Sequence, residues 1–373
     1  MNWNEIYDKI DKKLMAECSR HSGKIPYIAK NGIYNDMLKD DPSFWTNGFW
    51  AGLLWQMYHA SKKEGYRNTA EESDRYLAKA LENFMGLHHD VGFQYLLSSG
   101  ANYRLTGNEK ARTQALHAAT VLAGRFNPTG NFIRAWNRKK GNDAIDVTGW
   151  LIIDCLMNLP LLYFASQEYG DPRFSQIAML HTDTALRVLQ RPDGSCNHIA
   201  GLDPATGELL ETPGGQGYTD GSSWSRGQAW AIYGFALAFR HTKKQEYLDA
   251  AKRTAHYFLA NVALTGYLSL SDFRAPKEPV YWDLSASTCA ACGLLELSEL
   301  VCGYEKELYR CHAERILAAV TEHCDFDPET DGMVQNCTVT YGHLEDTHAS
   351  VIYADYFYTE AVLRLLNKSF LIW

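Results

Sequence analysis

The sequence lacks a basic block, an apolar run of bilayer length, a cysteine framework and any low-hydrophobicity segment that would stay disordered. Its 373 residues carry 36 Lys and Arg against 44 Asp and Glu, a net charge of −8. Gripping a phosphate backbone needs a positive surface, so no nucleic acid is expected as a partner. The longest apolar stretch, Leu151–Ala165, is broken by Asp154, Asn158 and Pro160, short of the roughly 20 apolar residues of a spanning helix. No membrane is expected as a partner either. The first twenty residues lack the apolar core of a signal peptide. The nine cysteines are odd in number and scattered, which suits reduced thiols in the cytoplasm rather than a disulfide-stapled fold. Cys289 and Cys292 form the nearest pair, but no second CxxC or His pair completes a metal set. Gly-x-Ser-x-Gly, HExxH and dinucleotide fingerprints are also missing, so nothing implies a metal or a cofactor.

What is present is helical periodicity nearly throughout, with apolar residues at three- and four-residue steps. Start and stop signals predict twelve helices, near 3–20, 46–63, 69–86, 92–105, 108–125, 147–168, 172–190, 224–241, 245–262, 285–302, 305–323 and 349–367. Two kinds alternate. Some are amphipathic, as in Glu246–Phe258; others are apolar nearly all round and rich in Gly, Ala and Trp, as in Trp45–Tyr58, Gly149–Ala165, Trp224–Phe239 and Ser285–Leu297. A helix apolar on every side must be buried on every side. Six buried-then-amphipathic pairs imply an all-α fold, an (α/α)6 barrel of six inner and six outer helices. No Pro/Gly/Ser-rich linker divides the chain, so residues 1–373 are expected to form a single domain. Long connections near 126–146, 191–223, 263–284 and 324–348 are then the places for a site, with a small hairpin around Asp203–Glu208.

Three groups of residues can carry chemistry. Asp154 sits in Leu151-Ile152-Ile153-Asp154-Cys155-Leu156-Met157, a surround that disfavours a charge and raises a carboxyl pKa as a general acid requires; the alternative is a core Asp bonded to a neighbouring helix. Asp90, in His88-His89-Asp90-Val91-Gly92-Phe93, is either a functional acid or a helix N-cap. His88 and His89 are adjacent, are expected to point apart, and have no evident third ligand. Arg226 lies one turn into an apolar helix after the glycine-rich stretch Gly214–Gly221. A guanidinium there needs a partner: a substrate carboxylate, or a structural acid such as Asp220. The aromatics Trp45, Phe49, Trp50, Phe93, Trp136, Trp224 and Trp230 cluster at inner-helix starts and connecting loops, where they either stack on sugar rings or fill the core.

The stretches WTNGFWAGLLW (from Trp45), HHDVGFQY (from His88), IRAW (from Ile133), LIIDCLMNLPLL (from Leu151), QGYTDGSSWSRGQAWAIYGF (from Gln216), SASTCAACGLLE (from Ser285) and DYFYTEAVLRL (from Asp355) run in order over almost the whole chain. In this combination the sequence resembles the unsaturated glucuronyl hydrolases, glycoside hydrolase family 88. The resemblance implies the same barrel and release of a 4,5-unsaturated uronic acid from the non-reducing end of lyase-generated oligosaccharides. Hydration of the C4=C5 vinyl ether, rather than displacement at C1, would drive that release. By the same resemblance Asp154 is the general acid/base and Asp90 the second essential carboxylate. Trp45, Phe49, Phe93, Trp136, His198, Gln216, Arg226 and Trp230 are implied to bind substrate. The alternatives are an unsaturated rhamnogalacturonyl hydrolase of family 105, acting on pectin fragments, and a sugar epimerase on an (α/α)6 barrel. Monomer and homodimer fit equally.

Overall fold

A computed structural model describes residues 1–84, 86–138 and 145–373. Residue 85 of the expected helix 69–86 and residues 139–144 of the expected connection 126–146 lie outside the described residues. Six inner helical segments form a ring: Asn47–Ser61, then Val91–Tyr95 continued through a π turn into Ala101–Thr106, then Cys155–Asn158 continued by Pro160–Tyr169, then Ser225–Thr242, Leu284–Leu300 and Ile352–Leu365. Each packs on the next, and the last returns to the first. The outer layer is Glu64–Asn83, Glu109–Ala123, Pro172–Leu189, Gln245–Val262, Tyr304–Thr321 and, from the start of the chain, Trp3–Arg20. Inner segments are buried on all sides, whereas outer helices bury one stripe, so the alternation in the sequence is the alternation of layers. Among the described residues a large hydrophobic cluster runs through the barrel from Ile6 to Trp373, and a smaller one gathers Ala135, Val147, Trp150, Ile152 and Ile199.

Chain starts and stops follow local chemistry. Asn2, Asn108, Asp171 and Asp283 each accept a backbone N–H of the first turn that follows them, the orphan donors of a helix start. The first helix is fastened to the end of the barrel by polar contacts. Lys13 donates to the carbonyls of Asp327 and Thr330, and Arg20 and His21 both reach Asp331. Among the described residues no helix is long and apolar enough to cross a membrane.

One predicted helix is corrected. The expected element 147–168 opens as a strand, Trp150–Ile152, and turns helical only at Cys155. The strand pairs antiparallel with Ile199–Leu202, which pairs with Leu209–Glu211, the hairpin read from Asp203–Glu208. A run of Trp, Leu and Ile satisfies a buried strand as well as a buried helix, and here the pairing partner decides. This sheet sets the approach of the chain to Asp154.

Candidate active site

The N-terminal ends of the inner segments converge on one end of the barrel, around a cavity of about 1020 Å³. Trp45, Asp90, Asp154 and Arg226 stand at four of those starts and all line it, with Trp136, Gln216, Trp150, Trp224 and Tyr27. Helix N-termini carry unsatisfied N–H groups and a partial positive charge, so the cavity mouth favours an anionic ligand.

Asp90 occupies the cap position of Val91–Tyr95, yet its carboxylate makes no capping bond. Its Oδ1 instead accepts from Asn158 Nδ2 at 2.9 Å. Burial pushes its pKa above the ordinary carboxylate range, and the Asp154 charge pushes the same way; the Asn158 bond and the Arg125 charge oppose them. Asp154 repeats the pattern at the start of Cys155–Asn158, again with no capping bond. Its side chain is 14% exposed and Oδ1 is buried without a hydrogen-bond partner. Burial raises this pKa as well, with the Arg226 charge pulling it down. Both carboxyls are thus disfavoured as anions, and a charge on Asp154 makes a charge on Asp90 harder still.

Asn158 stitches the two helix starts together. Its Oδ1 accepts Phe93 N at 2.7 Å, and its Nδ2 reaches both Asp90 and the Asp154 carbonyl. Gly92 makes this approach possible, since a Cβ there would lie 2.4 Å from Asn158 Cα. The signal for Asn158 was the lone polar residue one turn after Asp154 in an apolar run.

His198 backs Asp154. Its Nδ1 accepts the Gln216 backbone N–H at 3.0 Å, so the neutral ring carries its proton on Nε2, 3.6 Å from Asp154 Oδ1. Burial lowers its pKa to about 3, with the Arg226 charge adding. The ring lies against Trp224, centroids 4.3 Å apart. Arg226 is buried and paired, its acid being Asp283 rather than Asp220. It also donates to the carbonyls of Thr338 and Val339 and lies 4.5 Å over the Trp224 ring. Gln216 Nε2 donates to Val339 O at 2.9 Å, tying the glycine-rich loop to the connection that also holds Arg226.

Not every expected site residue reaches the cavity wall. Phe49, Phe93 and Trp230 are fully buried and form a second layer, and His198 is likewise buried, behind Asp154 rather than on the wall. Phe49 and Phe93 pack on Trp45 at 5.8 and 5.7 Å, and Trp230 packs on Phe93. They lie two turns or less inside helix starts whose inward faces are already covered by Trp45 and its neighbours. The expectation that His88 and His89 diverge is also corrected: with Asp90, their donor atoms lie within 4.8 Å of one another. The segment is neither helix nor strand, so consecutive side chains are not forced to opposite sides. The charge of Arg125 bears on both imidazoles, which burial holds neutral, His88 at about 4. That resident charge opposes a second cation among the same donors.

Comparison with known proteins agrees with this fold. Residues 8–367 fit the model of Glycosyl Hydrolase Family 88. The chain belongs to glycosyl hydrolase family 88. It is 38% identical over 351 residues to the unsaturated glucuronyl hydrolase of Bacillus sp. (strain GL1), covering 92% of this chain and 91% of that one. It is 33% identical over 388 residues to the unsaturated chondroitin disaccharide hydrolase of Streptococcus pneumoniae, covering 99% and 93%. The crystal structure of the Bacillus sp. GL1 enzyme, responsible for glycosaminoglycan degradation, superposes with TM-score 0.90 at 34% identity over 97% of this chain and 96% of that one. A heparin-specific unsaturated glucuronyl hydrolase superposes with TM-score 0.86 at 27% identity, covering 96% of each. The family's α/α barrel is the fold described above, and the protein is a glycosidase.

Within this family-88 site one backbone position tests the setting of His198. Gly215 has φ +61°, and a Cβ on it would lie 2.1 Å from His198 Nδ1. Gly215→Ala is expected to displace the imidazole and lower kcat/KM by about tenfold to a hundredfold. Steady-state kinetics beside a thermal melt check it, the melt falling by a few degrees from the strain of Ala at positive φ while the fold persists.

Proposed function

We propose that the chain is an unsaturated glucuronyl hydrolase in which Asp154 and Asp90 carry the reaction. It releases 4,5-unsaturated uronic acid from the non-reducing end of lyase-generated oligosaccharides of the glycosaminoglycan type. The observation that carries this reading is the pair of buried, uncapped carboxyls facing one cavity, both disfavoured as anions. A carboxyl group kept protonated near neutrality is what protonation of an enol-ether carbon demands.

Asp154 gives its proton to C4, and positive charge develops at C5 and the ring oxygen. Asp90, held by Asn158 and facing the Arg125 charge, serves as the anion that stabilises it. The Asp154 carboxylate then takes a proton from the water that adds to C5, which restores the acid. The resulting C5 hemiketal opens by breaking its bond from C5 to the ring oxygen, which leaves a ketone at C5 and the ring oxygen on C1 as a hydroxyl; that C1 hemiacetal becomes an aldehyde as it expels the aglycone alcohol. No carboxylate attacks C1, so the separation of the two acids does not predict a stereochemical outcome as it would for displacement.

The remaining residues bind and orient. Trp45 and Trp136 offer flat faces to the sugar rings, with Phe49, Phe93 and Trp230 bracing Trp45 from behind. Gln216 and Arg226, on the cavity wall, face the polar groups of the unsaturated ring, and His198 supports Asp154 from behind. The whole chain acts as one catalytic domain, in a reducing cytoplasm that suits its buried free thiols at Cys18, Cys155, Cys196, Cys289, Cys292 and Cys337.

Incubation with lyase-generated chondroitin, hyaluronan and pectin fragments, followed by the ultraviolet absorbance of the C4=C5 bond, tests the proposal. Loss of absorbance is expected on the glycosaminoglycan fragments. Loss confined to pectin fragments would move the protein to the rhamnogalacturonyl hydrolases. The pH profile of kcat is expected to be a bell. Both carboxyls titrate near neutrality, Asp90 pushed up to about 8 and Asp154 to about 7, so turnover falls on the acid side as the two together take up a second proton and on the alkaline side as they lose the last one. A profile flat across neutrality would contradict the assignment.

A further inference from the structure

Arg125 does not line the cavity, yet its guanidinium holds one side of it in place. Nε donates to the Arg134 carbonyl at 2.8 Å, Nη2 to the Ala135 carbonyl at 3.0 Å and Nη1 to Asn137 Oδ1 at 2.8 Å. These three acceptors flank Trp136 on both sides. The loop they define is in turn bonded to the segment that ends in Asp90: Asn137 Nδ2 donates to the Leu87 carbonyl at 2.9 Å, and His89 N donates to the Ala135 carbonyl at 3.3 Å. Its other edge is bonded to the strand that leads to Asp154, through Ala135 N and the Trp150 carbonyl at 2.8 Å. Every acceptor of Arg125 is neutral, and among the described residues no carboxylate lies within 4.0 Å of it. A rigid planar fork is suited to fixing three acceptors at once, which a flexible ammonium is not.

We infer that Arg125 is a positioning residue of this active site, a clamp that sets the Trp136 loop against the segment carrying Asp90. The clamp stands on hydrogen bonds alone; only its catalytic consequence rests on the hydrolase reading. Its charge, which has no carboxylate partner among the described residues, has a second effect. Asp154, Asn158, His88, His89 and Arg125 surround Asp90, and of these Arg125 alone brings a fixed positive charge. It favours the anionic form of Asp90 and the neutral form of both histidines, and its own pKa is lowered by burial to about 10. Arg134 and Cys155 are the other titratable groups bearing on it.

The test compares the full-length protein with Arg125→Lys and Arg125→Gln by two readouts. Neither variant has the fork, so amide hydrogen exchange over residues 132–138 is expected to quicken at least about tenfold in both, with the barrel helices unchanged. The variants separate on kinetics with an unsaturated glycosaminoglycan disaccharide. In both, kcat/KM is expected to fall about a hundredfold as Trp136 and Asp90 lose registration. Only Arg125→Gln is expected to move the acid limb of the pH profile upward, by about one pH unit, because only it removes the charge. Wild-type exchange over 132–138 in Arg125→Gln overturns the clamp. Quickened exchange with an unmoved acid limb overturns the electrostatic effect. A wild-type protein inactive on every unsaturated disaccharide overturns the hydrolase reading instead, while the exchange result still decides the clamp.

Discussion

Asp154→Asn is expected to lower kcat by about a thousandfold or more while leaving KM and the fold close to wild type. The substitution is isosteric and removes only the ability to give a proton to carbon and take one from water. No hydrogen bond of Oδ1 is lost, because that atom has none in the folded protein. The stability consequence has a definite sign. Burial raises the folded pKa of Asp154 above its unfolded value, so the native state binds a proton that the unfolded chain has released. The wild-type protein therefore loses stability as pH rises from the unfolded pKa to the folded one, and stays lower above it. The amide does not ionise and escapes this loss. Thermal melts are expected to coincide at acid pH and to favour the variant at alkaline pH. Near-normal turnover by Asp154→Asn would mean another group supplies the proton.

Asp90→Asn is expected to cost about a hundredfold to a thousandfold in kcat, with a different pH signature. Without the Asp90 anion, the developing charge at C5 and the ring oxygen meets only a dipole. The acid limb of the profile should vanish, since it reports the second proton taken up by the two carboxyls together. The alkaline limb should move to lower pH, because removing a neighbouring negative charge makes the Asp154 proton easier to lose. Measuring both limbs therefore separates the two carboxyls, which kcat alone would not. An acid limb that survives in Asp90→Asn would assign it to a different group.

The barrel was legible because its inner helices cannot be anything but buried: Ser225–Thr242 and Leu284–Leu300 present no polar face. Asp154 was legible for the same reason, as an acid in a surround that resists its charge. The break at Trp150–Ile152 was not, since four successive apolar residues carry no period and the pairing strand lies nearly fifty residues on. The layering of aromatics was equally hidden. Trp45 and Phe49 are one turn apart, and only the packed structure shows that Trp45 takes the cavity and Phe49 the core. Arg226 read as a charge in need of a partner, but the partner came from Asp283, 57 residues later. Arg125 gave no signal at all, because its acceptors are backbone carbonyls and an amide in a loop nine to twelve residues away.

The most direct test of vinyl-ether hydration is to follow the atoms. With an unsaturated glycosaminoglycan disaccharide turned over in D2O, and separately in 18O-water, hydration places one deuterium on C4 and the water oxygen on C5 of the released sugar. The aglycone leaves with its own oxygen, and the C4=C5 absorbance disappears at the rate of release. Retention of the double bond in the released sugar, with 18O on C1 and no deuterium on C4, would show ordinary displacement and contradict the roles given to Asp154 and Asp90.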